Sequence, residues 1–473
     1  MPNLREKLMT IQDIKFGTDG FRAIVDDKFT FENVELVTKS VAIYAEEHYG
    51  MNKPILVGYD TRNMADEFAQ FSADILAQAG FKVLISESYI PTPALAYCAK
   101  KLDTAGALMF TASHNPPEYC GIKYIPDYAG PATSDITDEL VKNLGVEVPE
   151  AKGGSVEKFC AKEEYFKQLK GIIDFGKIKN IKETICFDPL YATANGWFDE
   201  VLKEFGIETK VIHNWRDTLF GGNMPEPKEA YLGELKELVL KNTPAVGFSN
   251  DGDADRYAMI DENGSFVTPN EVMAILLNHL LKYKKAKGVL VKTVAGSLIL
   301  DKIAEHYGVD VVETAVGFKH VGEAMRKNVV VIGGEESGGL SIGGHIPEKD
   351  GILANLLMLE AIGYSGKELR ELRKEINDIL GVKYINKRFD LKLSEEKKEM
   401  ALNLFLNTPP QKFFGKKVIK TDKKDGIKFY LEGGNDWILI RFSGTEPLLR
   451  IYFESLDADY IEKAYAEICE KIL

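Results

Sequence analysis

Pro54-Ile55-Leu56-Val57-Gly58-Tyr59-Asp60 reads as a buried strand running into a polar turn, and the segments downstream of it decide the fold. An amphipathic segment continues to Gly80, and Phe81-Lys82-Val83-Leu84-Ile85 is a second strand. The same series returns at Thr184-Ile185-Cys186-Phe187-Asp188, with a helix to Gly206 and a strand over 208–213. It returns again at Gly288-Val289-Leu290-Val291-Lys292, with a helix to Gly308 and a strand over 309–313. After a further helix-length segment, each unit reaches a third apolar strand, at 105–110, 245–248 and 329–332. Strands alternating with helices favour right-handed crossovers, so the pattern predicts three similar α/β domains with mixed, mostly parallel sheets.

The last hundred or so residues break this rhythm. Lys428-Phe429-Tyr430-Leu431, the turn Gly433-Gly434-Asn435-Asp436, Trp437-Ile438-Leu439-Ile440 and residues 448–453 read as hairpin strands, with a closing helix over 459–473. A C-terminal α+β domain with an antiparallel sheet is therefore expected. Boundaries fall near 155, 258 and 378, giving domains 1–155, 156–258, 259–378 and 379–473. The loops after the third strands occupy equivalent positions, and open α/β sheets place their chemistry at such strand ends, so the loops can converge on a central cleft.

A chain of 473 residues suits three or four domains. Its 45% hydrophobic and 28% charged content describes a globular protein, and its net charge of −13 argues against nucleic acid as a partner, since that needs a broad basic face. An acidic chain can still hold a local basic pocket for one small anion. Cys98, Cys120, Cys160, Cys186 and Cys469 follow neither a disulfide framework nor a zinc pattern. With no signal h-region and no run near the eighteen or so apolar residues of a membrane helix, the cytoplasm is the expected location and no membrane partner is expected.

Four loops carry chemistry. Thr111-Ala112-Ser113-His114-Asn115-Pro116 comes directly after the strand at 105–110; a loop serine alone is more often a cap than a nucleophile, so its partners decide. In Asn250-Asp251-Gly252-Asp253-Ala254-Asp255-Arg256, three carboxylates at alternate positions can turn toward one hard cation, as Mg²⁺ requires. A calcium EF-hand is the rival, since Glu262 stands at the twelfth position, but Arg256 occupies the place that needs Gly and the flanks read as strands. A solvated acidic turn is the bland alternative. Gly333-Gly334-Glu335-Glu336-Ser337-Gly338-Gly339 suits vicinal sugar hydroxyls, or is a plain glycine-rich turn. Arg441-Phe442-Ser443-Gly444-Thr445-Glu446-Pro447 can wrap a phosphate dianion, or is a capped turn. Upstream, Ile14-Lys15-Phe16-Gly17-Thr18-Asp19-Gly20-Phe21-Arg22 suggests a tight turn presenting a cation.

These loops, with residues 16–22, resemble the α-D-phosphohexomutase superfamily in the same order over essentially the whole chain. The resemblance implies four domains around a cleft: a phosphoserine, a metal-binding, a sugar-binding and a phosphate-binding domain. It implies an isomerase that interconverts hexose 1-phosphate and hexose 6-phosphate through phosphoserine at Ser113 and a hexose 1,6-bisphosphate, with Mg²⁺ held by Asp251, Asp253, Asp255 and Ser113. Arg22 and Lys123 match positions near the phosphoryl group, and His114 either handles a proton or positions the loop. Glu335 and Ser337 match the sugar-binding residues, and Arg441, Ser443, Gly444 and Thr445 the site for the phosphate that is not transferred. Arg256 and Lys319, the latter in Gly317-Phe318-Lys319, match further substrate contacts.

Two departures stand out. Cys120 precedes Gly121-Ile122-Lys123 where many members carry Asn. Gly339 stands where several branches carry His, and His345 is expected to take over a phosphate or sugar contact. The wording of residues 334–351 looks closer to the phosphoglucomutase and dual phosphoglucomutase/phosphomannomutase branches than to phosphoglucosamine mutase, which remains the alternative. A non-catalytic sugar-phosphate-binding relative and a calcium-binding protein are the readings from other classes.

Overall fold

The computed structural model describes residues 11, 14–16, 20–151, 153–442 and 448–472. The first sheet runs, edge to edge, Phe21–Ile24, Tyr119–Ile125, Ala107–Phe110, Ile55–Tyr59, Lys82–Ser86 and Ser155–Phe159. Its centre is parallel, and Tyr119–Ile125 pairs antiparallel with Ala107–Phe110.

The second sheet repeats this arrangement. Thr209–Val211, Thr184–Asp188 and Ala245–Asn250 are parallel, and Tyr257–Ile260 returns antiparallel. In the third, Val311–Thr314, Val289–Thr293 and Val330–Gly334 are parallel and Leu340–Ile342 returns antiparallel. In all three the first strand of the repeated unit (Ile55–Tyr59, Thr184–Asp188, Val289–Thr293) lies between the second and the third. The fourth sheet is antiparallel throughout, with Ala458–Ile472 as the terminal helix.

Two of the expected boundaries shift. The hairpin Tyr257–Ile260 and Phe266–Val267 completes the second sheet, so that unit continues past residue 258. Ser155–Phe159 pairs with Lys82–Ser86, so the first sheet continues past residue 155. Hydrogen bonding across the sheet, and not the change of helical pattern, ends each unit.

One apolar core runs through the first three domains, and the fourth has its own. The helix Gly351–Ser365 crosses the middle of the shared core, and its residues 351–362 are buried all round. A smaller cluster joins Val294 and Ala295 of the third domain to Trp437, Leu439 and Tyr452 of the fourth. Among the described residues the cysteines are free, and no helix is long and apolar enough to cross a membrane.

Candidate active site

The three equivalent loops meet, and the fourth sheet closes the space above them. A cleft of about 590 Å³ is lined from all four domains, by His114, by Glu226 and Arg256, by Glu335, Ser337 and Lys349, and by Arg388, Arg450 and Tyr452. A larger cavity, about 780 Å³, lies elsewhere, but the smaller cleft is the one lined by His114 and Arg256, the chain neighbours of Ser113 and Asp255, so chemistry, not size, selects it.

Ser113 sits in the left-handed region at φ 52°, in the loop between Ala107–Phe110 and Tyr119–Ile125. The loop is held from beneath by Arg62, whose guanidinium is fully buried. It donates to the carbonyls of Ser113 (2.7 Å), Asn115 (2.6 Å), Pro116 (2.7 Å) and Tyr119 (2.9 Å), and its Nε to Asp60 (3.2 Å). Thr111 Oγ1 donates to Asp60 and accepts from Ser113 N, which completes the support. Burial pushes Asp60 up to about 6, against the downward pull of Arg62. Neither Asp60 nor Arg62 was singled out from sequence; the signal was a polar Asp-Thr-Arg run at the carboxyl end of the first strand.

Ser113 Oγ donates to Asp251 Oδ2 at 2.8 Å and lies 3.4 Å from His114 Nδ1. The approach is close enough to require glycine at 252, where a Cβ would stand 2.3 Å from the Ser113 carbonyl oxygen. Asp251, Asp253 and Asp255 are fully buried, with carboxylate oxygens within 4.8 Å of one another. Asp253 Oδ1 and Asp255 Oδ1 have no hydrogen-bond partner among the described residues. Buried, unpaired carboxylate oxygens converging on one point fit a hard divalent cation. Glu262, the twelfth-position residue of the EF-hand alternative, is turned away to accept from the backbone of Leu369 and Arg370.

Cations complete the charge pattern. Lys123 Nζ lies 2.8 Å from Asp253 and 3.5 Å from Asp255, and Lys349 Nζ lies 2.8 Å from Asp255. Burial and the two neighbouring carboxylates push Asp251 well up. Burial acts the same way on Asp253, but Lys123, the Thr92 hydroxyl and Lys349 overcome it and hold that carboxyl below its ordinary value. Burial pushes Glu348 up to about 8, against the pull of Lys349 and Lys123.

Glu335 accepts from Gly317 N (3.0 Å) and from the Ser337 hydroxyl (3.4 Å), and both side chains face the cleft. Arg256 also lines it, 3.8 Å from Glu226. Arg22 donates to Asn115 Oδ1 at 3.0 Å, at the outer edge of the serine loop.

Other expected residues stand apart. Lys319 reaches Ser134 of the first domain at 3.3 Å and is not among the cleft residues. Arg441 pairs with Asp425 at 2.9 Å, while Ser443, Gly444 and Thr445 lie outside the described residues. The fourth domain instead turns Arg388 and Arg450 into the cleft, neither of which was singled out from sequence.

The expectation for His345 is corrected. Its buried ring bonds Asp350 at 2.8 Å, beside Tyr165, and does not line the cleft. The residue linked to Gly339 is Lys349, whose stem lies over that glycine: a Cβ at 339 would come within 2.4 Å of Lys349 Cδ. A side chain at 339 would displace that stem, and Lys349, ten residues further along the chain, reaches the cleft from the turn at 343–350. Cys120 is buried, and burial pushes its thiol out of the titrating range, so it offers no charged contact.

A buried serine against three aspartates, with a glycine-rich carboxylate loop and arginines across a cleft, defines a site built for anions and a cation on a four-domain scaffold. The chain belongs to the phosphoglucomutase/phosphomannomutase family of the α-D-phosphohexomutase superfamily: residues 13–147, 163–264 and 268–379 match its alpha/beta/alpha domains I, II and III, and residues 390–471 its C-terminal domain. A phosphoglucomutase/phosphomannomutase of Thermococcus kodakarensis is 29% identical, with 97% of this chain and 98% of the relative covered. A phosphoglucosamine mutase of Acetivibrio thermocellus is 31% identical over the same shares. A solved relative from Thermus thermophilus is 31% identical, with a TM-score of 0.84 over 97% of this chain and 98% of that one. The chain is thus a phosphohexomutase-family isomerase of carbohydrate metabolism.

Proposed function

We propose that the protein interconverts the 1- and 6-phosphates of glucose, and of mannose, through phosphorylated Ser113 and a hexose 1,6-bisphosphate. The observation that carries this reading is the 2.8 Å contact between Ser113 Oγ and Asp251 inside a buried triad of aspartates. In the first half-reaction the Oγ–phosphorus bond breaks as phosphorus bonds the sugar hydroxyl, and the proton that the hydroxyl loses ends on Ser113 Oγ, with His114 Nδ1, 3.4 Å from that oxygen, placed to relay it. The second half-reaction runs in reverse from the other end of the bisphosphate and restores phosphoserine.

Mg²⁺ would be held by Asp251, Asp253, Asp255 and a phosphoryl oxygen on Ser113, and when bound it neutralises charge on the transferring group. Lys123 and Arg22 add positive charge beside it, and Glu335 and Ser337 take the sugar hydroxyls. At the far end, Arg441 stands directly across the sheet from Arg450. Asp425 offsets the charge of Arg441, while Arg450 Nε has no hydrogen-bond partner among the described residues. That nitrogen supports a seat for the phosphate that is not transferred, with Arg256 on the opposite wall. Lys319 would join only by leaving Ser134. The five cysteines, all free, suit a reducing cytoplasm.

Intact-mass spectrometry of the purified protein should show one added phosphoryl group that Ser113→Ala lacks. Coupled assays with glucose, mannose and glucosamine 1-phosphates then separate the branches. Fastest turnover with glucosamine 1-phosphate would select the second reading, which the Acetivibrio relative favours; no phosphoryl group and no turnover would leave a non-catalytic relative.

A further inference from the structure

The larger cavity lies among the first three domains, where the ends of the helices Thr92–Lys101, Lys162–Ile172, Pro269–Lys282 and Phe318–Lys327 meet. Its charge is one-sided: Lys100, Lys284, Lys287 and Arg326 line it, and among the described residues no aspartate or glutamate does. In a chain of net charge −13, that concentration of cations is an anion seat. Lys284 is already committed to Glu360 at 2.7 Å. Lys100 and Lys287 are exposed and make no ion pair among the described residues.

The remaining wall is apolar and flat. Arg326 lies on the ring of Tyr128, 3.7 Å from its centroid, and a stacked guanidinium offers its outer face to a second ring. Val329, at the lip of the cavity, is 74% exposed, which is costly for a large apolar side chain with nothing against it. Cations together with a guanidinium face and apolar side chains in one cavity ask for a ligand that has both an anionic and a ring part. The volume, about 780 Å³, is in the range of small-molecule sites.

We propose that this cavity binds a nucleoside diphosphate, its phosphates between Lys100 and Lys287 and its base against Arg326 and Val329. The proposal is independent of which hexose the enzyme converts, because none of these residues belongs to the catalytic cleft.

Calorimetric titration of the full-length protein with ADP tests it, with pyrophosphate and adenosine as the two half-ligands. ADP should bind more tightly than either half, weaken as salt rises, and stay bound in saturating glucose 1-phosphate. The double substitution Lys100→Glu/Lys287→Glu should weaken ADP on the order of tenfold, the loss of charge-assisted contacts, while hexose phosphate turnover stays intact and certifies the fold. Absence of ADP binding overturns the proposal, as does displacement by glucose 1-phosphate or an ADP affinity indifferent to the double substitution. Equal affinity for pyrophosphate and ADP overturns the nucleotide assignment.

Discussion

Lys349 and Gly339 form one functional unit although ten residues separate them. The ammonium faces Asp255, and the stem needs the volume that any β-carbon at 339 would fill. Gly339→Ala should therefore act like a mild Lys349 variant: kcat reduced on the order of tenfold with near-normal melting, against on the order of a hundredfold for Lys349→Met, at roughly tenfold per 1.4 kcal/mol. A Gly339→Ala enzyme with wild-type kcat would uncouple the pair. Arg62 is a residue of another kind, since it bonds backbone carbonyls and Asp60 beneath the serine loop and lies over the Phe220 ring, away from the cleft. Removing one partner of a buried ion pair leaves an uncompensated charge, so Arg62→Met should lower stability by about 3–5 kcal/mol. Denaturant titration measures it; a loss below about 1 kcal/mol would mean that the loop is held by other groups.

The turn at 343–350 joins the strand pair Val330–Gly334 and Leu340–Ile342 to the buried helix Gly351–Ser365, and its residues do different work. Lys349 is presented to the cleft, while His345 is anchored to Asp350, which also caps the helix at Leu353 N (2.9 Å) and accepts from Tyr165. His345→Ala should thus leave KM unchanged and lower stability by about 1–3 kcal/mol, the cost of unpartnered buried groups. A raised KM with unchanged melting would return His345 to substrate binding. The same element shows where sequence reading reaches its limit. The strand ends bearing Ser113, Asp251 and Glu335 were legible because apolar runs next to Gly- and Asp-rich turns are local signals. Gly351–Ser365 was not, because a helix buried on all sides shows no 3.6-residue alternation. Arg62, Lys349, Arg388 and Arg450 were missed because their place under the serine loop or in the cleft depends on other segments, although Arg62 and Arg388 also pair with Asp60 and Asp390 two residues away.

At the scale of the molecule, one core runs through three domains, while the fourth is attached through a small apolar cluster with a polar network beside it. Glu454 of the last sheet accepts from Leu298 N (2.8 Å) and Trp437 Nε1 (2.9 Å), and bonds Ser297 and Asn386 as well. Beside it Lys428 crosses the boundary, donating to the Val294 carbonyl at 2.7 Å with its ammonium 4.2 Å from the Trp437 ring centroid. Burial and the nearby Lys292 push Lys428 down to about 8, against Glu313, Asp301 and Glu454, which pull upward. That depression sets the sign of the pH effect. Below pH 8 the side chain is charged in both folded and unfolded chains, and the full cost of burying that charge is present. Between 8 and the ordinary lysine value of 10.5, the unfolded chain holds a proton that the folded one has released, so this position's contribution to stability rises with pH. Above that window both states are neutral and the contribution is constant. The melting temperature of the wild type should therefore gain on that of Lys428→Met as pH is raised through this interval, and level off beyond it. A difference that stays flat from pH 7 to about 10.5 would show that Lys428 keeps its proton throughout, and that the joint to the fourth domain holds a permanent charge.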